Sequence, residues 1–119
     1  MSSYAIAHLR SVDVGPPIVE YLNRIDATLE PYGGRFIIHG GTIEVLENSW
    51  PGTVVVIEFP TGEAARAWYC SPAYQAILPL RTENSDGSAI IVDGVTYPHH
   101  SPDVLGARAP SPEPAGSAE

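Results

Sequence analysis

Positive charge is scarce in this chain. Six Lys plus Arg stand against fourteen Asp plus Glu among 119 residues, a formal net charge of −8. A nucleic-acid binder needs a basic stripe that displaces counterions from phosphate, and no such stripe is visible. The same deficit argues against docking on an anionic membrane surface. Cysteine is nearly missing as well. Cys70 stands alone, which excludes an intramolecular disulfide and fits a reducing compartment. No apolar segment approaches the roughly 20 residues needed to cross a bilayer. Met1-Ser2-Ser3-Tyr4 lacks the basic region and apolar run of a signal peptide. These absences lead to the expectation of a cytoplasmic protein with neither a nucleic-acid nor a membrane partner. Gly-x-Ser-x-Gly, phosphate-loop and dinucleotide fingerprints are also missing, and with them those families of chemistry.

What is present suits one folded domain. The apolar fraction, 44%, is ordinary for a globular protein. Tyr4-Ala5-Ile6-Ala7-His8-Leu9 reads as a first strand, apolar on both faces and so covered on both. Pro16-Pro17 suits a helix start, because proline has no amide hydrogen to leave unpaired there. Ile18, Leu22, Ile25 and Leu29 follow at spacings of four, three and four, an apolar stripe on one helix face. Pro31 and Gly33-Gly34 end it.

Two β-branched runs come next, Arg35-Phe36-Ile37-Ile38-His39 and Thr53-Val54-Val55-Val56-Ile57-Glu58-Phe59. Thr42-Ile43-Glu44-Val45-Leu46-Glu47 between them reads as a short extra strand or a hairpin arm. Thr61 is placed to cap a helix through Ala64, Ala65, Ala67 and Trp68. Ser71-Pro72 starts a second short helix whose buried face is Tyr74, Ile77 and Leu78. Asp86-Gly87 reads as a turn into a last strand, Ala89-Ile90-Ile91-Val92-Asp93. From Thr96 onward Pro, Ser, Gly and Ala dominate, and Pro110-Ser111-Pro112-Glu113-Pro114 is tail. Residues 1–95 therefore form the domain, and residues 96–119 a flexible or surface-draped extension.

The order β-α-β-β-α-β closes naturally as an α+β, ferredoxin-like antiparallel sheet of four strands with both helices on one face. The other face then carries Tyr4, Ile6, Ile37, Val54 and Val56 or their neighbours, too apolar for water. A homodimer whose two sheets face each other is the simplest remedy.

Gly33-Gly34-Arg35-Phe36-x-x-His39-Gly40-Gly41, Glu44-Val45-Leu46-Glu47 and Trp50-Pro51 together resemble the bacterial family called domain of unknown function 1330. So do Val55-Val56-Ile57-Glu58-Phe59-Pro60, Ala65-Arg66-Ala67-Trp68-Tyr69, Ser71-Pro72-x-Tyr74-Gln75 and Arg81. The likeness covers residues 4 to 95. It implies the dimeric α/β-barrel form of the ferredoxin-like fold. The wider superfamily it implies includes cofactor-free monooxygenases, isomerases, polyketide cyclases and haem enzymes, so the fold alone decides no chemistry.

Strand alternation puts Arg35, Ile37 and His39 on one face, and Val54, Val56 and Glu58 likewise. Antiparallel pairing then sets Arg35 near Glu58 and His39 near Val54. His8 comes level with Val54, two strand spacings or about 10 Å from His39. Two imidazoles so placed can flank one planar substrate. Histidine titrates near neutrality and suits acid/base work, while a buried Arg35 recognises a carboxylate or enolate with Glu58 tuning it. The plainer readings are a cross-strand ion pair for Arg35 and Glu58 and hydrogen-bonded structural roles for His8 and His39.

Tyr4, Trp68, Tyr69 and Tyr74 are core aromatics or pocket walls, and Trp50 anchors a turn or acts as a lid. Two pocket positions stay open. The seam between sheets favours His8, Arg35, His39 and Glu58; the space between sheet and helices favours Trp68, Tyr69 and Tyr74. Cys70 beside the Ser71 cap has no basic partner to activate it. His99-His100 cannot easily close a metal site, so neither metal nor cofactor is expected. The function expected is acid/base chemistry (isomerisation, elimination or cyclisation) on a small organic metabolite. The alternatives are a non-catalytic ligand-binding dimer and a cofactor-free monooxygenase.

Overall fold

Proline and small polar caps set the element boundaries. The computed structural model describes residues 1–107, so the stretch at 110–114 expected to be tail lies outside the described residues. Strand β1 (Ser3–Val12) leads to helix α1 (Pro16–Leu29), which opens on the two prolines and runs into a 3-10 turn, Glu30–Tyr32. Gly33 ends that turn at φ +72°, a conformation glycine adopts without strain. Strands β2 (Arg35–His39) and β3 (Thr53–Phe59) follow. Helices α2 (Gly62–Tyr69) and α3 (Pro72–Thr82), strand β4 (Ser85–Asp93) and a last short helix α4 (Asp103–Ala107) complete the described chain. The Thr61 hydroxyl accepts from the Ala64 N–H at 3.1 Å and the Ser71 hydroxyl from the Tyr74 N–H at 3.2 Å. Each cap contributes about 1 kcal/mol.

The four strands form one antiparallel sheet in the order β2-β3-β1-β4, the ferredoxin-like α+β arrangement. Its helix side holds the core. Ile57 and Phe59 of β3 meet Tyr21, Ile25 and Leu29 of α1, Ala65 and Trp68 of α2, and Tyr74 and Ile77 of α3. Burying each large apolar side chain here stabilises the fold by roughly 1.5–3 kcal/mol relative to exposure. Helix α1 lies closer to α3 than to the sheet, which it reaches only through long side chains. Leu22, in the stripe expected to be buried, is 46% exposed for that reason.

The other side of the sheet carries Tyr4, Ile6, His8, Val54, Val56 and Glu58, with Ile90 and Val92 from β4. Ile38, Ile90 and Val92 are 42%, 56% and 42% exposed, an apolar surface on the face opposite the core. No helix among the described residues is long and apolar enough to cross a membrane.

Three local expectations give way. Residues 42–47 form neither strand nor hairpin arm but part of an irregular connection from Gly40 to Gly52. Asp86 and Gly87 lie inside β4, pairing with Ser11 and Leu9, and do not turn the chain. The third change matters most. Phe36 pairs with Ile57, but Ile38 pairs with Val56, so Ile37 is an extra residue in the edge strand. A bulge of this kind shifts every later side chain to the opposite face.

Candidate functional site: a cavity between sheet and helices

The bulge at Ile37 separates residues that simple alternation keeps together. Arg35 pairs with Glu58 and His8 with Val54, as the spacing predicts, but His39 stands opposite Val55 and not Val54. Its ring stacks on Phe36, 4.2 Å between centroids, on the helix side of the sheet. His8 and His39 therefore project from opposite faces and cannot flank one substrate. That expectation is corrected.

On the open face Arg35, Glu58, Tyr4 and His8 each already have a partner. The Arg35 Nε donates to Glu58 Oε1 at 2.9 Å, and the Tyr4 hydroxyl reaches Glu58 Oε2 at 3.4 Å. The Arg35 hydrogen bond holds the Glu58 carboxyl below its usual pKa, against a smaller opposing effect of desolvation. His8 bonds the Pro51 carbonyl through Nε2 at 2.7 Å, and the Trp50 ring stacks on its imidazole at 4.4 Å. Trp50 thus clasps the β2–β3 connection to β1. Gly52 completes the clasp at φ +88°, where a Cβ would collide with the Leu9 carbonyl oxygen.

On the helix side a cavity of about 860 Å³ opens between the sheet and the helices. Ala5, Ala7, Val55 and Ile57 form its sheet wall, and Ile18, Leu22 and Ile25 its α1 wall. Trp68, Tyr69 and Tyr74 line it, as the second of the two expected pocket positions requires. The cavity exists because α1 leans on α3 and leaves the sheet partly uncovered. Its size lies within the range of pockets that hold small organic ligands.

The polar groups in the lining come from several elements. Tyr21 on α1 and Tyr74 on α3 bring their hydroxyl oxygens to 2.7 Å of each other. Burial, with Tyr74 alongside, pushes the Tyr21 pKa well above the ordinary tyrosine range, so this hydroxyl stays neutral. The Arg81 guanidinium lies 5.9 Å from the centre of the Tyr21 ring. His39 and Gly40 contribute from the end of β2. Trp68 is a fixed wall, its indole N–H donating to Thr28 Oγ1 at 2.9 Å. Sequence reasoning missed Tyr21 as a lining residue, although its place between Ile18 and Leu22 puts it near the apolar stripe. It knew Arg81 only as part of a motif. Cys70 is exposed. Among the described residues no three His, Cys, Asp or Glu side chains converge as a metal site.

The sequence profile of the domain of unknown function DUF1330 matches residues 2–95. The chain belongs to that family. No curated protein matches it in sequence. Among solved structures it is similar to RPA0582, a protein of unknown function from Rhodopseudomonas palustris, at 16% identity and TM-score 0.60. That match covers 80% of this chain and 83% of the other. It is also similar to a variant of SnoaB, a cofactor-independent oxygenase from Streptomyces nogalater, at 11% identity and TM-score 0.53. There the coverage is 82% of this chain and 98% of SnoaB. At such identities the likeness establishes a shared fold.

Proposed function

We propose that this DUF1330 protein is a small homodimeric enzyme that uses no cofactor and moves a proton on a small organic molecule held between sheet and helices. The reaction is isomerisation, elimination or cyclisation of a carbonyl-bearing substrate. One observation carries the proposal: an imidazole, His39, stands in the lining of an otherwise mainly apolar cavity large enough for a metabolite. An imidazole in that position can take a proton next to a carbonyl and return it elsewhere. His39 is exposed at the end of β2, where a substrate whose body lies along the apolar walls can reach it. Trp68, Tyr69 and Tyr74 shape the pocket. Arg35, Glu58, His8, Tyr4 and Trp50 serve the open face as an ion pair and a loop clasp, so the pocket chemistry falls to His39. The apolar open face supports pairing of two copies through their sheets.

A non-catalytic ligand-binding role is favoured by one specific observation. No side chain among the described residues hydrogen-bonds the His39 ring, whereas catalytic histidines are commonly oriented by a partner. Oxygenation is the further alternative, since SnoaB is a cofactor-independent oxygenase on this fold.

Proton exchange separates the readings. A panel of cyclic ketones is incubated with the protein in D₂O, and loss of the protons next to the carbonyl is followed by NMR. Exchange above the buffer rate that disappears in His39→Gln supports the enzyme. Ketones that bind and perturb Trp68 fluorescence without any exchange leave the binding role.

A further inference from the structure

The charges around the cavity run against the charge of the chain. Acidic residues outnumber basic ones by fourteen to six, yet among the described residues the cavity lining includes two arginines, Arg66 and Arg81, and no Asp or Glu. Arg10, Arg24 and Arg35 each pair with a carboxylate, Asp86, Glu20 and Glu58 respectively. Among the described residues Arg66 and Arg81 have no such partner within ion-pair distance. Arg66 is exposed on α2, whereas Arg81 is partly covered at the end of α3. A guanidinium stays protonated in proteins, and covering one beside apolar walls without an anion is costly unless an anion arrives.

Arg81 does not stand alone. The Tyr21 ring lies within cation–π range of it, and the Tyr21–Tyr74 hydroxyl pair is buried beside that ring. Two hydroxyls joined by one hydrogen bond have only one O–H engaged between them, so the second O–H remains to be donated. A guanidinium fork and a neutral phenol together match the two oxygens of a carboxylate.

We infer that Arg81, Tyr21 and Tyr74 form the recognition site for the carboxylate end of the ligand, whose apolar body lies along Trp68, Tyr69 and the sheet wall. The substrate class is thus a small, largely apolar organic acid. This inference rests on the cavity being the ligand site, as proposed above. Position at the C-terminal end of α3 accounts for a cation at residue 81 through the helix dipole, but not for its facing a cavity to which the described residues bring no Asp or Glu.

Two isosteric probes test it, 2-naphthoate and its neutral amide 2-naphthamide, titrated by calorimetry into the full chain. The wild type is expected to bind naphthoate about 10- to 100-fold more tightly than naphthamide. Arg81→Met should abolish that preference by weakening naphthoate far more than naphthamide, Arg81→Lys should keep part of it, and Tyr21→Phe should reduce it. Circular dichroism of each variant checks that it folds. Equal binding of the two probes to the wild type overturns the inference, as does a preference that survives Arg81→Met. Binding of neither probe overturns the cavity reading beneath it, a separate failure.

Discussion

The hydroxyl oxygens of Tyr21 and Tyr74 lie 2.7 Å apart, joining α1 to α3 within the core and at the edge of the cavity. Removing one hydroxyl leaves the other buried without its partner. Tyr21→Phe and Tyr74→Phe should each cost about 1–3 kcal/mol of stability. The double variant should cost clearly less than their sum, since it leaves neither group stranded. Urea unfolding of the four proteins measures this; additive losses would show that the two hydroxyls do not interact.

The open face gives a prediction about assembly. Ile90 is 56% exposed in the middle of β4, beside Ile6 of β1. If two copies meet through this face, Ile90→Glu places like charges across the seam at a cost no surface substitution would carry. Sedimentation at micromolar concentration should show a wild-type dimer and an Ile90→Glu monomer. A wild type that sediments as a compact monomer removes the dimer.

Acid should weaken the open face before the core. Arg35 depresses the Glu58 pKa in the folded protein, and Arg10 does the same for Asp86. In the unfolded chain both carboxyls take up protons at their ordinary, higher values, so stability from these pairs is complete above that range. It is lost as pH falls through the depressed folded values. Urea midpoints measured from pH 6 to pH 3 should fall, and Glu58→Gln should flatten the slope. Both pairs are exposed, so the change is small.

Gly52 is the residue least open to substitution in the β2–β3 connection. Any Cβ there meets the backbone of Leu9 and Arg10, in a conformation that L residues rarely adopt. Gly52→Ala should destabilise by more than about 1 kcal/mol. It should also loosen the Trp50–His8 stack, read as a red shift of Trp50 emission in a Trp68→Phe background. An unchanged melting temperature would contradict it.

Much of the fold was legible because its signals are local. Pro16-Pro17, Thr61 and Ser71 mark helix starts through hydrogen-bond chemistry within a few residues, and the register of His8 with Val54 follows from alternation. The site was legible only in part. Alternation puts His39 with Arg35, but the extra residue at Ile37 reverses it, and nothing in Phe36-Ile37-Ile38 distinguishes a bulge from an unbroken edge strand. The cavity depends on how far α1 stands from the sheet, a tertiary matter that an apolar stripe cannot specify. Nothing near Tyr21 in the chain marks its role, because its partner, Tyr74, lies 53 residues away.

The two tryptophans stand on opposite sides of the sheet, Trp68 in the cavity lining and Trp50 stacked on His8. Their indole N–H signals in a ¹⁵N–¹H NMR spectrum report the two faces separately. Titrating 2-naphthoate should move the Trp68 indole signal with the amides of His39, Val55 and Arg81, and leave the Trp50 indole where it was. Movement of Trp50 and the amides around His8, with Trp68 unchanged, would place the ligand on the open face and contradict the cavity as the site.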